Sequence, residues 1–290
     1  MFALDTHDPQ ITSADGLKIW AAQAGQSPKD APTIVFIPGF SSSSLLFDHQ
    51  FRDEELLSKY CLITYEPRGQ GRSEWPTDKA HWGSLYFAQD FEAVCKFYGA
   101  TKVFLAGWSA GCTISSDVFE HGLGHLIQGL IFMSGMPYMK LFANIDLPAV
   151  GKYYMPIQAP SDGDTHGRAC ADFARCCVWE PNRANMSYTF RSALIGTIAM
   201  IPTTVRIEGT KCHPQDPANL LAAAPTQEAI FIVGDEEEIV KPDMMISMYE
   251  EMFSKLEVVR VPSAGHTVFW ERPIETKKAI VSFVDRLTKS

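Results

Sequence analysis

The 290-residue sequence predicts an α/β protein: a doubly wound, mostly parallel β-sheet interrupted by a helical insertion. Three observations predict it. Short apolar runs alternate with stretches of helical period, the pattern of parallel strands covered by helices on both faces. The alternation fails between about residues 136 and 225, where Pro, Met and aromatic residues fall in fragments that read as short helices, and then resumes. A G-x-S-x-G segment, Gly107-Trp108-Ser109-Ala110-Gly111, stands between an apolar run and a helix, the context in which that spacing has a chemical use. The expected division is a core of residues 1–135 and 226–290 with residues 136–225 inserted.

The elements follow in order. Residues 1–26 read as a β-hairpin, with Asp15-Gly16 at the turn and Leu17, Ile19 and Ala21 alternating with polar or small residues. Residues 32–37 (PTIVFI) form an apolar strand that runs into Pro38-Gly39-Phe40 and the serines 41–44. Residues 61–65 are the next strand, followed by the turn-rich segment 66–73 (EPRGQGRS). Phe87, Phe91, Val94, Cys95 and Tyr98 share one helical face, and Gly99 stops that helix. Residues 103–106 precede Ser109 as a strand, and residues 129–133 (GLIFM) form the strand after its helix. Beyond the insertion come strand 229–233 and a helix near 243–255 with Met245, Met248, Met252 and Leu256 at three-to-four spacing. Strand 257–261 follows, then a helix that starts at Pro273 and buries Ile280, Phe283, Val284 and Leu287.

Apolar residues make up 46% of the chain and charged ones 20%, the balance of an ordinary globular enzyme. A formal charge of −9 with no basic stripe argues against a nucleic-acid surface. The longest apolar stretch of the second half, around residues 193–202, is too short and interrupted to span a bilayer. Met1 leads into Phe2-Ala3-Leu4 and Asp5 without a basic region or long apolar run, so no signal peptide and a cytoplasmic location are expected. The seven cysteines (Cys61, Cys95, Cys112, Cys170, Cys176, Cys177 and Cys212) are odd in number and fit reduced thiols. Cys170, Cys176, Cys177, Cys212 and His213 match no metal-binding spacing, so neither a metal nor another cofactor is expected.

The chemistry of Ser109 dictates what must surround it. A serine on a very sharp strand-to-helix turn has a strained backbone, and Gly107 and Gly111 remove side chains that would strike neighbouring main chain. The helix that follows aims its first N–H groups at the point where an oxyanion would form. A serine hydroxyl is a poor nucleophile at neutral pH and needs a base, itself oriented by an acid. Of the eight histidines, His266 has the strongest claim, in Ser263-Ala264-Gly265-His266 directly beyond a predicted strand. His166 and His213 lie in the insertion, His81 precedes a helix, and His49, His121 and His125 sit near helices or their ends, where a solvated role is the default. The acid is expected between Ser109 and His266, beyond a strand end. Only Gly234-Asp235-Glu236-Glu237-Glu238 qualifies, and spacing alone leaves open which carboxylate turns inward.

On these residues the chain resembles the α/β-hydrolase superfamily, in the lid-bearing branch of esterases, epoxide-hydrolase-like and cofactor-free haloperoxidase-like proteins. The resemblance covers residues 15–135 and 226–288 and misses the insertion. Ile37-Pro38-Gly39-Phe40 resembles the family's His-Gly oxyanion loop with Pro38 in place of histidine, and residues 66–73 resemble its D-x-R-G-x-G-x-S turn with Glu66 for Asp. Ser109 matches the nucleophile, and Gly265-His266 through Glu271-Arg272-Pro273 matches the G-H-x-x-x-x-E-x-P ending. The family's acid segment, G-x-x-D before an apolar pair, puts Glu237 at the acid position ahead of Ile239-Val240, with Asp235 the runner-up. The resemblance thus implies Ser109 as nucleophile, His266 as base and Glu237 as orienting acid. It also implies the backbone N–H groups of Phe40 and Ala110 as the oxyanion hole, and residues 136–225 as a lid. Epoxide hydrolases and haloalkane dehalogenases carry Asp at the nucleophile position. Serine there counts against their reactions and suits acyl transfer.

The expected function is therefore serine hydrolysis of an ester, thioester or lactone through an acyl-serine intermediate. The insertion carries Tyr138, Met139, Phe142, Tyr153, Tyr154, Met155, Phe173, Trp179, Tyr188, Phe190 and Met200, which suits an apolar or aromatic small molecule even with most of them packed on the core. Two alternatives stay open: the same three residues used for C–C bond hydrolysis, elimination or cofactor-free oxidative chemistry, and a non-catalytic ligand receptor. The expected partner is a small-molecule substrate, without nucleic acid or membrane span, and the expected state is a monomer or homodimer.

Overall fold

The computed structural model describes residues 10–144, 152, 154–158, 160–211 and 213–289. Residues 1–9 of the expected hairpin, Tyr153, Cys212 and the side chain of Phe142 lie outside the described set. Strands β1 (Gln10–Thr12) and β2 (Lys18–Gly25) pair antiparallel across a turn in which Asp15 Oδ1 accepts from the Leu17 N–H at 3.2 Å. In chain order there follow β3 (Thr33–Ile37), α1 (Glu54–Lys59), β4 (Cys61–Tyr65), α2 (Ser84–Tyr98), β5 (Val103–Trp108), α3 (Ile114–Glu120) and β6 (Ile127–Met133). Residues 136–225 contribute α4 (Met155–Gln158), α5 (Gly163–Cys176), α6 (Glu180–Arg183), α7 (Tyr188–Met200), α8 (Thr203–Lys211) and α9 (Ala218–Ala223). Then come β7 (Glu228–Gly234), α10 (Pro242–Met252), β8 (Lys255–Val261), α11 (Val268–Glu271) and α12 (Pro273–Thr288).

The strands form one sheet in the order β1-β2-β4-β3-β5-β6-β7-β8, antiparallel at β1–β2 and β2–β4 and parallel thereafter. Every residue of β3, β4 and β5 is buried, as expected of strands covered on both faces. Among the flanking helices, α2, α3 and α9 pack in succession, while α1 and α12 are joined by Lys277 to Asp53 at 2.9 Å and by the Tyr60 hydroxyl to Asp285 at 2.6 Å. The 66–73 turn is a structural knot. Buried Arg68 donates to both carboxylate oxygens of Asp90, at 2.8 and 2.7 Å, and to Asp15 at 2.9 Å, tying the hairpin turn to α2. Glu66 accepts from Ser43 Oγ at 2.6 Å and pairs with Arg72 at 2.8 Å.

Several element boundaries differ from the sequence reading. β6 begins at Ile127, two residues before the apolar run 129–133. α10 stops at Met252, so Leu256 belongs to β8. The core residue of α10 beside Met245 is Tyr249, one turn on, stacked on Phe231 at 4.4 Å with its hydroxyl donating to the Gly135 carbonyl at 2.9 Å. The methionine spacing pointed instead at Met248, which is half-buried, as is Leu287. Among the described residues no helix is long and apolar enough to cross a membrane.

Candidate active site

The site is built where the parallel strands end. β5 delivers Ser109 into a left-handed backbone conformation, φ 53°, and the chain turns at once into a 3-10 turn over Ser109–Thr113 before α3 begins. The turn is too tight for side chains at its two glycines. A Cβ on Gly107 would lie 2.5 Å from the Cys112 backbone, and one on Gly111 would lie 2.7 Å from the Pro38 carbonyl and closer still to that of Ile37. Among the described residues four non-glycine positions have positive φ: Ser41, Ser109, Ser134 and Ser263. Each lies just past the carboxyl end of a strand, β3, β5, β6 and β8 respectively. Strain of this kind persists where surrounding structure over-determines it.

His266, buried in the loop after β8, places Nδ1 2.8 Å from Glu237 Oε2, and the other Glu237 oxygen accepts from the Ile239 N–H at 2.9 Å. The Glu237 side chain is fully buried. Asp235 faces elsewhere, accepting from Arg260 Nε at 2.6 Å on the surface, and Glu238 pairs with Arg183 at 3.1 Å. Trp108, the residue before Ser109, donates its indole N–H to the His266 carbonyl at 2.8 Å, so the two segments are clamped side by side. Ser109 Oγ and His266 Nε2 make no hydrogen bond among the described residues. Catalytic contacts are often long before substrate arrives.

The loop after β3 lies against the same point, since a Cβ on Gly39 would come within 2.9 Å of the Ser109 Cβ. The Phe40 and Ala110 N–H groups enter no turn or loop hydrogen bond among the described residues. Glu271 supports the histidine loop from below. Its Oε1 accepts from the Gly265 N–H at 2.9 Å and the Thr267 hydroxyl at 3.1 Å. Its Oε2 accepts from the Trp179 N–H at 3.0 Å and Asn182 Nδ2 at 2.8 Å, fastening the insertion at α6.

The sequence pattern of the alpha/beta hydrolase fold matches residues 32–273, most of the chain. The chain belongs to that family. Among solved structures, this alpha/beta hydrolase is similar to a putative aryl esterase from Burkholderia cenocepacia, with 25% identity and a TM-score of 0.85 over 98% of this chain and 100% of that one. It is similar in fold to an esterase from Rhodococcus sp., with 20% identity, a TM-score of 0.82 and coverage of 96% and 98%. It is likewise similar to an enol-lactonase from Burkholderia xenovorans, with 17% identity, a TM-score of 0.74 and coverage of 95% and 99%. A probable oxidoreductase, EphD, of Mycobacterium tuberculosis is 33% identical over 84 residues, which are 29% of this chain and only 14% of that protein.

Beside Ser109 the alpha/beta hydrolase has a small, partly open cavity of about 60 Å³. Its wall runs from Phe40, Ser41 and Ala110 to Trp82, Ile201 and His213, so it opens on the Ala110 side of Ser109 and not on the His266 side. Ile201, between α7 and α8, and Val205 and Gly209 of α8 line this wall. Among the described residues no group of three or more His, Cys, Asp and Glu side chains is arranged to hold a metal ion. Sequence reasoning missed two features here. Arg206 is buried among the carbonyls of Ile198, Ile201 and Ile157, and burial holds its pKa below the usual guanidinium value. His213, whose place in the sequence does not distinguish it from the other histidines, pairs with Asp117 at 2.8 Å. The available signal was Asp117 itself, a carboxylate within the otherwise small or apolar start of a helix.

Proposed function

We propose that this alpha/beta hydrolase is a serine hydrolase that cleaves a carboxylic ester, thioester or lactone of a fairly apolar or aromatic small molecule. The observation that carries this reading is the buried His266–Glu237 hydrogen bond, 2.8 Å, held beside the left-handed Ser109. Glu237 fixes the imidazole tautomer with Nε2 as the proton acceptor and stabilises the imidazolium that forms. Ser109 Oγ attacks the carbonyl carbon while His266 takes its proton. The carbonyl electron pair moves to oxygen, where the Phe40 and Ala110 N–H groups receive it, and loss of one such donor costs about 10²–10³ in rate. Collapse breaks the bond to the leaving alcohol or thiol, which leaves with the proton from His266. Water, activated by the same imidazole, then releases the acid and restores Ser109. The esterase and lactonase similarities support acyl chemistry, and residues 136–225 act as the lid that supplies the apolar wall.

A fluorophosphonate probe tests the nucleophile. Labelling of the unmodified protein and none of Ser109→Ala is expected, together with a loss of ester turnover of about 10⁴-fold or more. Labelling that persists in the alanine variant removes Ser109 from the mechanism. Ligand binding without turnover by the unmodified protein points to the receptor alternative.

A further inference from the structure

The cavity ends on a second histidine–carboxylate pair that the acyl-transfer machinery does not use. His213 Nε2 lies 2.8 Å from Asp117 Oδ1, and its ring is stacked on Phe87 at 4.0 Å and 14°. Both residues are buried, and His213 lines the cavity. Gln215 fixes the polarity of the pair. Its Oε1 accepts from the Met139 N–H at 2.8 Å, so its amide nitrogen is the end that donates to the Thr113 carbonyl at 2.9 Å and to Asp117 Oδ1 at 2.8 Å. Oδ1 is therefore an acceptor, and His213 meets it with Nε2–H. In the neutral ring that leaves Nδ1, which makes no hydrogen bond among the described residues, with a lone pair. A second polar group on the same wall is unsatisfied. Ser41 is buried, and among the described residues its hydroxyl has no hydrogen-bond partner. Unpartnered polar atoms at the wall of an otherwise apolar cavity are what a polar substituent on a ligand would satisfy.

We propose that His213, oriented by Asp117 and Gln215, is the anchor for a hydroxyl group on the substrate, phenolic or alcoholic, remote from the bond that is cleaved. The proposal rests on the ester-hydrolase reading for the identity of the other end of the substrate. Asp117 follows Ser109 by eight positions, through the 3-10 turn and the first turn of α3, a span of roughly 14 Å along the axis. The arm between carbonyl and hydroxyl is thus of arylalkanoyl length, not acetyl. Phe87, Trp82 and Ile201 give the arm an apolar wall, and the hydroxyl donates to His213 Nδ1 at its end.

The test uses the para-nitrophenyl esters of phenylpropanoate and of its para-hydroxy and para-methoxy derivatives. The unmodified protein is expected to favour the hydroxy ester over both others by about tenfold in kcat/KM, the worth of one well-made hydrogen bond. The methoxy ester keeps the oxygen and removes the donor, so this comparison depends on no variant folding. His213→Phe, checked for folding by circular dichroism, is expected to bring the hydroxy-to-unsubstituted ratio to about one. Calorimetry with the same esters on Ser109→Ala reads binding without turnover, and tighter binding of the hydroxy ester is expected there. Equal or absent binding across the series, or a preference that survives His213→Phe, overturns the anchor. Hydrolysis of all three at one rate overturns it while leaving the hydrolase reading intact. Selective binding with no hydrolysis by the unmodified protein does the reverse.

Discussion

Four acids stand in a row after β7, and their partners separate them. Asp235 and Glu238 hold surface arginines, whereas Glu237 gives one oxygen to His266 and the other to the Ile239 N–H with its side chain fully buried. Glu237→Ala is accordingly expected to lower kcat by about 10³–10⁴ with a small change in KM, and Asp235→Ala to stay within about threefold. Steady-state kinetics on one activated ester reads both, and the opposite ranking would transfer the orienting role to Asp235. A run of four like residues carries no period, so chain position alone could not rank them. Only the resemblance of residues 234–240 to the family's acid segment singles out Glu237. His213 shows the opposite situation. Its partner Asp117 is 96 positions away, so the lone carboxylate at the start of α3 marks a place without naming the histidine that meets it.

At the scale of elements, the junction from β5 to α3 is the one the rest must accommodate. The first turn is 3-10, so Ser109 through Gly111 lie close against the end of β3, and the obstacle to a larger residue at Gly111 is backbone. Gly111→Ala is expected to lower stability by about 1–3 kcal/mol and to abolish turnover. Gly196, inside α7 with nothing within 4 Å of its notional Cβ, is the matched control. Gly196→Ala is expected to be neutral or to raise stability by up to about 1 kcal/mol. Thermal melts of the two variants check both, and equal shifts would show that the junction is looser than its geometry. The strands and the long helices were readable because burial on two faces, or on one, leaves a run or a period in the chain. In the insertion α5 has a clear apolar face, but α7 and α8 have none that is marked. The insertion's helices pack through scattered contacts such as the stacked Phe190 and Trp270, 4.0 Å apart, or the Glu271 staple, which bridge segments far apart in sequence.

For the molecule as a whole, the thiols report on the interior. Cys61, Cys95, Cys112, Cys170, Cys176 and Cys177 are all free and buried, and burial raises the Cys61 thiol to about 11 and the Cys95 thiol to about 12. At mildly alkaline pH the folded protein is expected to protect these six from alkylation, with peptide mapping by mass spectrometry as the readout. In a denaturant series, turnover is expected to fall at a lower concentration than that at which the six become reactive. Coincident loss of activity and protection would refute that order. The reason lies in the four serines with positive φ, which together hold on the order of 4 kcal/mol of backbone strain at one rim of the sheet. A domain keeps only about 5–15 kcal/mol in reserve. The end of the sheet where we place the chemistry is thus also the end with most to gain by letting go, and mild stress is expected to silence this protein while its interior is still shut.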